Sequence, residues 1–306
     1  MKRLAAIREL EGPVHLALGV FDGVHVGHQE VIRRAVQAAV ERGGEAGVLT
    51  FDPYPLRVLA PDKAPRRLLA SLDHKAEILR PLGVDLLLAV PFNPQQARVE
   101  APDFVKQLVE AGARTIAAGE DWRFGYQRAG DRNLLRRLSA EYGFHFEAVP
   151  PVMLDGERVS STRIRQAVRD GNLAAAARML GRPYTVSGKI VEGQKLGRKL
   201  GFPTANLERG EEQYPPDGVW AVRVSLEGQP GLGVANLGHR PTLAGDHRTL
   251  EVHLFDETRD LYGRQMEVEF VEFLRGEEKF SSLDALKDQV GRDALEARAR
   301  LGGMDP

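Results

Sequence analysis

The chain has 306 residues but no cysteine, no long apolar run and no excess of either charge. The lack of cysteine excludes disulfides, thiolate nucleophiles and cysteine-ligated metals. No stretch approaches the roughly 20 apolar residues of a membrane-spanning helix, and the first residues lack the apolar segment of a signal peptide. The 42 basic and 43 acidic residues leave a formal net charge of -1, so no overall positive field would hold the protein on nucleic acid or on an anionic membrane. We therefore expect a soluble cytoplasmic protein with neither of these partners.

The first half of the chain alternates between apolar runs and segments with apolar residues at helical spacing. The apolar runs predict buried strands at 14–21, 45–51, 84–92, 113–120 and 144–154. The helical spacing predicts helices at 29–44, 71–83, 101–112 and 131–143. This alternation is typical of a doubly wound parallel sheet with helices on both faces. Ligands of such folds bind beyond the carboxyl ends of the strands.

The second half of the chain has a different pattern. Two short helices are predicted within 161–181, and the chain beyond Pro183 contains short alternating strands with glycine-rich turns. Such strands predict an antiparallel barrel or sandwich, and a last helix is predicted at 282–301 with Ser282 as its N-cap. We therefore predict a parallel-sheet domain at residues 1–182 and an antiparallel β domain, either a barrel or a sandwich, at residues 183–306; the family resemblance described below implies the β-barrel.

Two histidines lie three residues apart where the first predicted strand gives way to a helix, in the segment GVFDGVHVGHQ. If the helix begins near them, His25 and His28 share one face, and Gly27 permits a close backbone approach. The helix start attracts an anion, and imidazoles can donate to phosphate oxygens. The alternatives are an ordinary helix start with two surface histidines, or a metal site that lacks an obvious completing carboxylate or cysteine.

The segment SSTRIR, residues 160–165, offers a second set of groups suited to phosphate. Ser161 and Thr162 carry hydroxyl groups, and Arg163 and Arg165 carry guanidinium groups whose geometry matches phosphate oxygens. The alternative is a capped helix with solvated arginines, and the segment taken alone favours it. The loop GEDWRFG, residues 119–125, combines acidic, basic and aromatic side chains. It suits a nucleotide base or another flat ring, although an ordinary loop anchored by its aromatic residues has the same composition.

The segment GQKLGRKLGFPTANLE, residues 193–208, has the composition of a phosphate-binding loop. Its glycines free the backbone to approach an anion, and its lysines and arginine supply positive charge. Thr204 and Asn206 supply hard oxygen atoms of the kind that bind Mg²⁺ together with water and nucleotide phosphates. The segment lacks the Walker A pattern, and a basic turn followed by a strand is the alternative.

The complete set of motifs in the first half resembles the nucleotidyltransferase module of the bacterial bifunctional riboflavin kinase/FAD synthetases. The resemblance implies that His25, His28 and Arg165 act in catalysis. It further implies a set of nucleotide- and substrate-binding residues: Gly19, Phe21, Asp22, Gly23, Gly27, Asp121, Phe124, Ser161 and Thr162. The sequence departs from the usual pattern at Val26, where arginine is common, and at Tyr54, where histidine is common.

The second half resembles the riboflavin kinase module of the same family, most specifically in the P-T-A-N segment. The resemblance implies that Thr204 and Asn206 hold Mg²⁺ and the ATP phosphates, and that Glu251 is the general base. On alternation alone, Glu251 is an outward residue that shares one face of its strand with His253 and Phe255. The binding residues implied for this loop are Gly193, Lys195, Gly197, Arg198, Gly201 and Pro203. His239 stands where threonine is more common.

The resemblance covers nearly the whole chain and implies a bifunctional enzyme. Riboflavin and ATP would give FMN at the second domain, and FMN and another ATP would give FAD and pyrophosphate at the first. The implied cofactor is Mg²⁺, with ATP as co-substrate and riboflavin, FMN and FAD as substrates and products. Two other interpretations are a kinase fused to an inactive transferase module and a flavin or nucleotide sensor without catalysis. The intact H-x-G-H segment and the presence of Glu251, Thr204 and Asn206 speak against both.

Overall fold

A computed structural model describes residues 1–193, 197, 200–208, 210–242 and 245–302, with backbone alone for 240–242 and 245–247. Its contacts divide the chain into two compact units. The first unit consists of Met1–Leu68, Leu72–Arg163 and Met179–Gly181, and the second of Leu69–Ser71, Ile164–Arg178 and Arg182–Pro306. The last boundary between the two units lies between Gly181 and Arg182, one residue before the predicted domain boundary. Residues 164–178 group with the second unit.

The first unit is built on a six-stranded sheet in which every pairing is parallel. Its strands are β1 Lys2–Leu4, β2 Val14–Leu18, β3 Glu45–Asp52, β4 Leu86–Pro91, β5 Ala113–Gly119 and β6 His145–Val149. Their order is β1-β4-β3-β2-β5-β6. Strand β2 therefore has β3 on one side and β5 on the other, and the chain winds outward in both directions from it. The predicted doubly wound sheet is confirmed, and the position where its winding reverses lies at β2.

Five helices follow the strands of this sheet: α1 Val26–Arg42, α2 Pro55–Leu59, α3 Leu72–Leu79, α4 Ala101–Glu110 and α5 Arg132–Tyr142. Helix α2 has no buried residue. The core forms where apolar residues of the strands, such as Leu16 and Ile116, meet Phe104 of α4 and Leu135 of α5. A short antiparallel hairpin, β7 Met153–Leu154 and β8 Glu157–Arg158, follows the sheet. Helices α6 Ser161–Arg169 and α7 Leu173–Leu180 come next, at the two positions where short helices are predicted.

The largest differences from the predicted elements of the first unit have local causes. The strand predicted at 144–154 ends at Val149, because Pro150 and Pro151 cannot donate to a ladder. Strand β2 ends at Leu18, well before the end of its apolar run, since the backbone turns at Phe21. Helix α1 begins at Val26 and so includes residues that the spacing pattern left outside the helix.

The second unit contains a closed antiparallel barrel of six strands, so the barrel is confirmed over the sandwich. The strands are β9 Thr185–Val191, β10 Ala205–Leu207, β11 Gly218–Leu226, β12 Gln229–Thr242, β13 Gly245–Leu254 and β14 Gln265–Arg275, followed by α8 Leu283–Gly302. Around the barrel they run in the order β10-β13-β12-β11-β14-β9. Helix α8 packs Ala294, Ala297 and Leu301 against Val219 and Val234 on the outside of the barrel. Within the described residues, we find no helix with the length and hydropathy needed to cross a membrane.

Candidate active sites

The turn between β2 and α1 has an unusual backbone. Phe21, Gly23 and Val24 have φ values of 51°, 77° and 44°, in the left-handed region. For residues other than glycine this conformation costs about 1–3 kcal/mol each, and it is most unfavourable for a β-branched side chain. The Ser161 hydroxyl donates to the carbonyl oxygen of Asp22 over 2.9 Å. The structure thus brings the start of the SSTRIR segment to the turn that precedes the two histidines.

The two histidines form a stacked pair at the start of α1. His25 is the N-cap residue, and its Nδ1 accepts a hydrogen bond from the backbone N–H of His28 over 3.2 Å. The ring centroids are 3.5 Å apart with 16° between the planes. A Cβ atom on Gly27 would lie 3.2 Å from the His25 ring, and one on Gly19 would lie 3.1 Å from the Phe21 ring. These two predicted binding glycines therefore permit the close packing of the turn.

The His28 side chain is held in its uncharged form. Burial lowers its pKa well below 6.5, and the neighbouring charges of His25, Lys75 and Arg158 lower it further. Its Nδ1 atom is buried and has no hydrogen-bond partner in the described part of the chain. Buried polar atoms of native proteins nearly always have partners. An orphan nitrogen beside a helix N-terminus, at the carboxyl edge of a parallel sheet, is the geometry expected of a ligand-binding group.

The pKa of His28 predicts how stability depends on pH. Below about pH 6.5 the unfolded chain takes up a proton at His28 and the folded chain does not, so the free energy of unfolding should fall as the pH drops. A His28→Gln substitution should make this fall shallower. The measurement is urea unfolding at pH 7.5 and 5.5 in a Trp220→Phe background, where Trp122 of the first unit is the remaining tryptophan. Equal pH dependence in both proteins would contradict the neutral state of His28.

The hairpin β7–β8 presents Arg158, a residue that sequence reasoning missed. Its guanidinium pairs with Asp121, a predicted binding residue, and its charge acts on His28. Arg163, whose guanidinium the sequence suggested for phosphate, has its NH1 3.3 Å from the carbonyl oxygens of Leu154 and Glu157. It thereby holds the hairpin from α6. Nothing in the local sequence distinguishes these two arginines, because only the tertiary position of the hairpin separates them.

Helix α6 carries the remaining predicted residues of the first site. Arg165 is buried, with 7% of its surface exposed, and belongs to the second unit by its contacts. The helix begins at Ser161, and the Ser160 hydroxyl accepts from the backbone N–H of Arg163 over 3.3 Å. Thr162 lies in the first turn. Val26, which replaces the common arginine, packs closely against Gly181, where a Cβ atom would lie 3.0 Å from it.

An apolar cavity of about 260 Å³ lies near the carboxyl ends of β3 and β4. Its aromatic lining consists of Phe51, Phe92, Phe104 and Phe124. Phe124, a predicted binding residue, is stacked on Trp122 with 4.6 Å between ring centroids. The loop GEDWRFG thus combines both outcomes considered for it: its aromatic residues anchor it to the core, and one of them lines a cavity that a flat ring could enter.

On the barrel, three polar residues lie side by side across adjacent strands. Asn206 of β10 and Asn236 of β12 are both directly opposite Glu251 of β13. Thr204 completes the group, with its Oγ1 3.4 Å from a carboxylate oxygen of Glu251. Val252 is fully buried inside the barrel, so Glu251 faces outward, as alternation predicts. The outward position does not remove it from a site, because the cluster itself lies on the outer face. Asn236 was missed, and only strand pairing reveals it.

The loop before β10 is described in part. The predicted residues Lys195 and Arg198 lie outside the described residues, as does the neighbouring Lys199. A Cβ atom on Gly193 would lie 2.4 Å from the amide nitrogen of Asn206, so this glycine permits the approach of that side chain. A Cβ atom on Gly197 would lie 2.3 Å from the carbonyl oxygen of Phe202. Gly201 has a positive φ of 89°. The Pro203 carbonyl oxygen lies 2.9 Å from Nδ1 of His253.

A small cavity of about 70 Å³ adjoins Thr204. One side is apolar and includes Ile190 and Leu254, and the other includes Glu257, Arg259 and Tyr262 from the loop after β13. Arg259 pairs with Glu257 and lowers the pKa of that carboxyl to about 2. Thr204 is the member of the polar cluster that lines this cavity, together with Val252 and Leu254 from the opposite face of β13. Its volume is well below the roughly 300–1,000 Å³ of typical ligand pockets, so it can hold only a small part of a ligand.

The fold and these two sites define a class of protein. The first unit has the parallel sheet, helix start and histidine pair of a nucleotidyltransferase. The second unit adds a closed barrel with a carboxylate, a hydroxyl and an amide at one place, which is the chemistry of a phosphoryl-transfer site. Among the described residues, no group of three or more histidine, aspartate or glutamate side chains has the arrangement of a metal centre.

Comparison with known proteins identifies the family. Residues 7–163 match the FAD synthetase family, and residues 180–301 match the riboflavin kinase family. The bifunctional riboflavin kinase/FMN adenylyltransferase of Escherichia coli K12 is 42% identical over 314 residues, which cover 100% of both chains. The protein of that name from Bacillus subtilis 168 is 34% identical over 297 residues, which cover 95% of this chain and 93% of the relative.

A solved structure is similar over nearly the same length. It is titled as the crystal structure of a macrolide-efflux protein from Streptococcus pneumoniae, and it matches with a TM-score of 0.81 at 33% identity. The match covers 97% of this chain and 98% of that chain. The activity in this title is a statement about that protein alone. The chain described here belongs to the family of bifunctional riboflavin kinase/FMN adenylyltransferases. The predicted family, fold class and pair of transferase activities are confirmed.

Proposed function

We propose that the first unit transfers the adenylyl group of ATP to FMN at the histidine pair, and that the barrel phosphorylates riboflavin at the Glu251 cluster. The two reactions run in sequence in the cytoplasm, with FMN as the product of one and the substrate of the other. The observation that carries the first assignment is the buried, unpartnered Nδ1 of His28 beside a helix N-terminus. The second assignment rests on the cross-strand cluster of Glu251, Asn206 and Thr204.

In the adenylyl transfer, a phosphate oxygen of FMN attacks the α-phosphorus of ATP. The new oxygen–phosphorus bond forms as the bond to the β-phosphate oxygen breaks, and pyrophosphate leaves. The reaction needs alignment and charge stabilisation rather than a covalent intermediate. Because His25 accepts at Nδ1, Nε2 is the nitrogen from which its ring can donate. His28, whose pKa is lowered by burial, would donate one N–H to a phosphate oxygen.

Arginine side chains would supply the positive charge that the neutral His28 ring does not. Arg158 acts electrostatically on His28 and is about half exposed, so it can turn from Asp121 to the triphosphate. Arg165 keeps the catalytic role implied by the family resemblance, with Thr162 as a further donor. Ser161 instead supports the site through its hydrogen bond to the Asp22 carbonyl. Guanidinium groups match phosphate oxygens in geometry and remain charged at every relevant pH.

The isoalloxazine ring of FMN would enter the cavity lined by Phe51, Phe92, Phe104 and Phe124. Its volume of about 260 Å³ accommodates a flat ring system in part, and its phenylalanine walls favour aromatic packing. The cavity lies at the carboxyl edge of the sheet, the same edge that carries the histidine pair. A flavin bound there would direct its phosphate chain along the edge where ligands of parallel sheets bind.

In the kinase reaction, the 5′-hydroxyl of riboflavin attacks the γ-phosphorus of ATP and ADP leaves. Glu251 would accept the hydroxyl proton, since a carboxylate is the base suited to this position. Asn236, opposite Glu251 on β12, would add a further amide to the site.

The residues at the barrel site fit Mg²⁺. Thr204 and Asn206 offer two neutral oxygen ligands beside the Glu251 carboxylate, which suits an ion that takes its other ligands from phosphates and water. When bound, Mg²⁺ would neutralise charge on the ATP phosphates. Thr204 and Asn206 would hold and orient it, and Gly193 would leave room for the Asn206 amide.

The Gly193→Ala substitution should affect only the kinase. The new Cβ atom would lie 2.4–2.7 Å from three atoms of the Asn206 side chain and would push the amide out of position. We expect FMN formation to fall by about 100-fold, the usual consequence of a displacement near 1 Å, with a raised Mg²⁺ requirement. FAD formation from supplied FMN should remain unchanged. Gly228→Ala is the matched control, because its Cβ atom would meet no atom within 4 Å, although its φ of +86° also disfavours alanine.

Chromatography of the products formed from riboflavin, ATP and Mg²⁺ tests the proposal directly. FMN followed by FAD is the expected result. FMN alone, with no FAD even from supplied FMN and a reductant, would support a kinase fused to an inactive transferase module. Binding of flavin or ATP without any product would support a sensor.

A further inference from the structure

The side chain of Lys75 reaches the same edge of the sheet as the histidine pair, although nothing above gives it a role. It projects from α3, and its Nζ donates to the carbonyl oxygen of Val20 over 2.8 Å. Thr50, near the end of β3, has its hydroxyl 3.4 Å from Nζ. Only 6% of the lysine surface is exposed. The ammonium group is thus buried at the carboxyl ends of β2 and β3, where the ligands of a doubly wound sheet bind.

A buried cation at this position is unfavourable for stability taken alone. Burial lowers the pKa of Lys75 to about 8, while the charges of Asp22 and Asp52 act in the opposite direction. Lysine is almost never fully buried without a partner, and a methionine of similar length would fill the same space without desolvating a charge. The presence of a charge here therefore calls for a reason other than packing.

The hydrogen bonds of Lys75 point to the catalytic turn. The Val20 carbonyl oxygen also accepts from the Thr50 hydroxyl over 2.8 Å, so two donors hold one carbonyl. The next residue, Phe21, has the first of the positive φ values in the turn. The Phe21 ring then packs edge-on against His28, with 5.3 Å between ring centroids. A chain of direct contacts therefore leads from the Lys75 ammonium through Val20 and Phe21 to His28.

We propose that Lys75 is a positioning residue of the adenylyl-transfer site, which holds the turn before the histidine pair through the Val20 carbonyl and places a buried positive charge behind the triphosphate. The inference rests on the function proposed for the first unit. Lys75 does not need to touch substrate for this role. A turn with positive φ values keeps its conformation only if the surrounding contacts hold it in place. A fixed cation near the site stabilises negative charge without having to reorganise during the reaction.

The Lys75→Met variant tests this role against a control that keeps the charge. Lys75→Met removes both the hydrogen bond and the cation, whereas Thr50→Val removes only the second donor to Val20. We expect kcat/KM for FAD formation from FMN to fall by about 100-fold in Lys75→Met, and by about 10-fold or less in Thr50→Val. FMN formation from riboflavin should stay within twofold of the wild type in both variants, because it takes place in the barrel.

The pH profile separates a positioning and electrostatic role from simple packing. Because the Lys75 charge lowers the pKa of His28, its loss should move the acid limb of the FAD-forming profile to higher pH in Lys75→Met. Thr50→Val should leave that limb in place, and Lys75→Arg should restore it. The other charges near the ammonium, Asp22 and Asp52, are unchanged in all three variants.

Either of two kinetic results would overturn the inference: wild-type kcat/KM in Lys75→Met, or equal losses in Lys75→Met and Thr50→Val with identical pH profiles. Urea unfolding followed by Trp122 fluorescence checks the fold of the first unit. If Lys75→Met does not fold, Lys75→Gln replaces it and is assessed by the same criteria, because glutamine keeps a donor for Val20. Loss of folding in both variants would also overturn the inference, since Lys75 would then act on stability. Absence of FAD formation in the wild type would instead refute the proposed function itself.

Discussion

Replacement of His28 by alanine should stop FAD formation and leave FMN formation intact. The ring presents a buried nitrogen with no protein partner among the described residues, so its loss removes a group reserved for the ligand. Loss of one preorganised donor to a transition state costs about 10²–10³-fold in rate. We therefore expect FAD formation from FMN to fall by at least this factor. The kinase reaction should stay within twofold of the wild type, because its proposed residues lie on the barrel.

The measurement is a pair of initial-rate assays on one preparation, with FMN and with riboflavin as the flavin substrate. His145→Ala is the matched control, since His145 is a partly exposed histidine of the same unit that pairs with Glu147 at the start of β6. It should keep both activities. Equal loss of both activities in His28→Ala would contradict separate sites. Unchanged FAD formation would show that the histidine pair has only a structural role.

The Glu251→Gln substitution should have the opposite pattern. Glutamine keeps the shape and can still pack between Asn206 and Asn236, but it cannot take a proton from the riboflavin hydroxyl. General base catalysis contributes typically 10²–10⁴-fold, so we expect FMN formation to fall within this range. FAD formation from supplied FMN should continue at the wild-type rate.

A second glutamate of the barrel provides a control that distinguishes the loss of a negative charge from the loss of the catalytic base. Glu269 of β14 pairs with Arg223 and lies outside the proposed site, so Glu269→Gln also removes one negative charge from the barrel. It should leave both reactions unchanged. If Glu251→Gln keeps a nearly normal kinase rate, the base assignment is wrong, and Glu251 serves instead to orient Thr204 and Asn206. A normal KM for riboflavin together with a reduced kcat would support the assignment as base.

Local pattern was enough to predict the main elements of both units. Continuous apolar strands and helical spacing require a covered parallel sheet, since such strands must be buried on both faces. Short alternating strands with glycine turns require an antiparallel sheet whose inner face is apolar. Two of the missed elements carry local signals: Asp155-Gly156 forms the two-residue turn of the hairpin β7–β8, and Pro55 begins α2. Another missed element has a cause that is not local. Strand β1 is three residues long, polar in part and exposed, and it exists because it pairs with β4.

The sites were predicted through short motifs in which spacing carries the chemistry. His25 and His28 could be selected because a three-residue spacing at a helix start places both rings together. Thr204 and Asn206 could be named as candidates from their oxygen atoms in a glycine-rich basic segment, and the resemblance made them specific. Glu251 could be selected only by resemblance, because alternation alone makes it an ordinary outward residue. Arg158 and Asn236 could not be selected at all. Their roles depend on which hairpin or strand lies beside them. The identity of a single arginine or asparagine does not indicate which residues surround it after folding.

The amino-acid sequence alone determined the class of each unit, the order of the two units and the residue types available for phosphate chemistry. These properties follow from periodicity, turn residues and motif spacing, which act over a few neighbouring residues. Only the tertiary structure decided that Arg163 contacts the hairpin while the charge of Arg158 acts on His28, that burial lowers the pKa of His28, and that Lys75 lies buried against the Val20 carbonyl. Burial, pKa and hydrogen-bond partners depend on distances between residues far apart in the chain, and these distances exist only after folding.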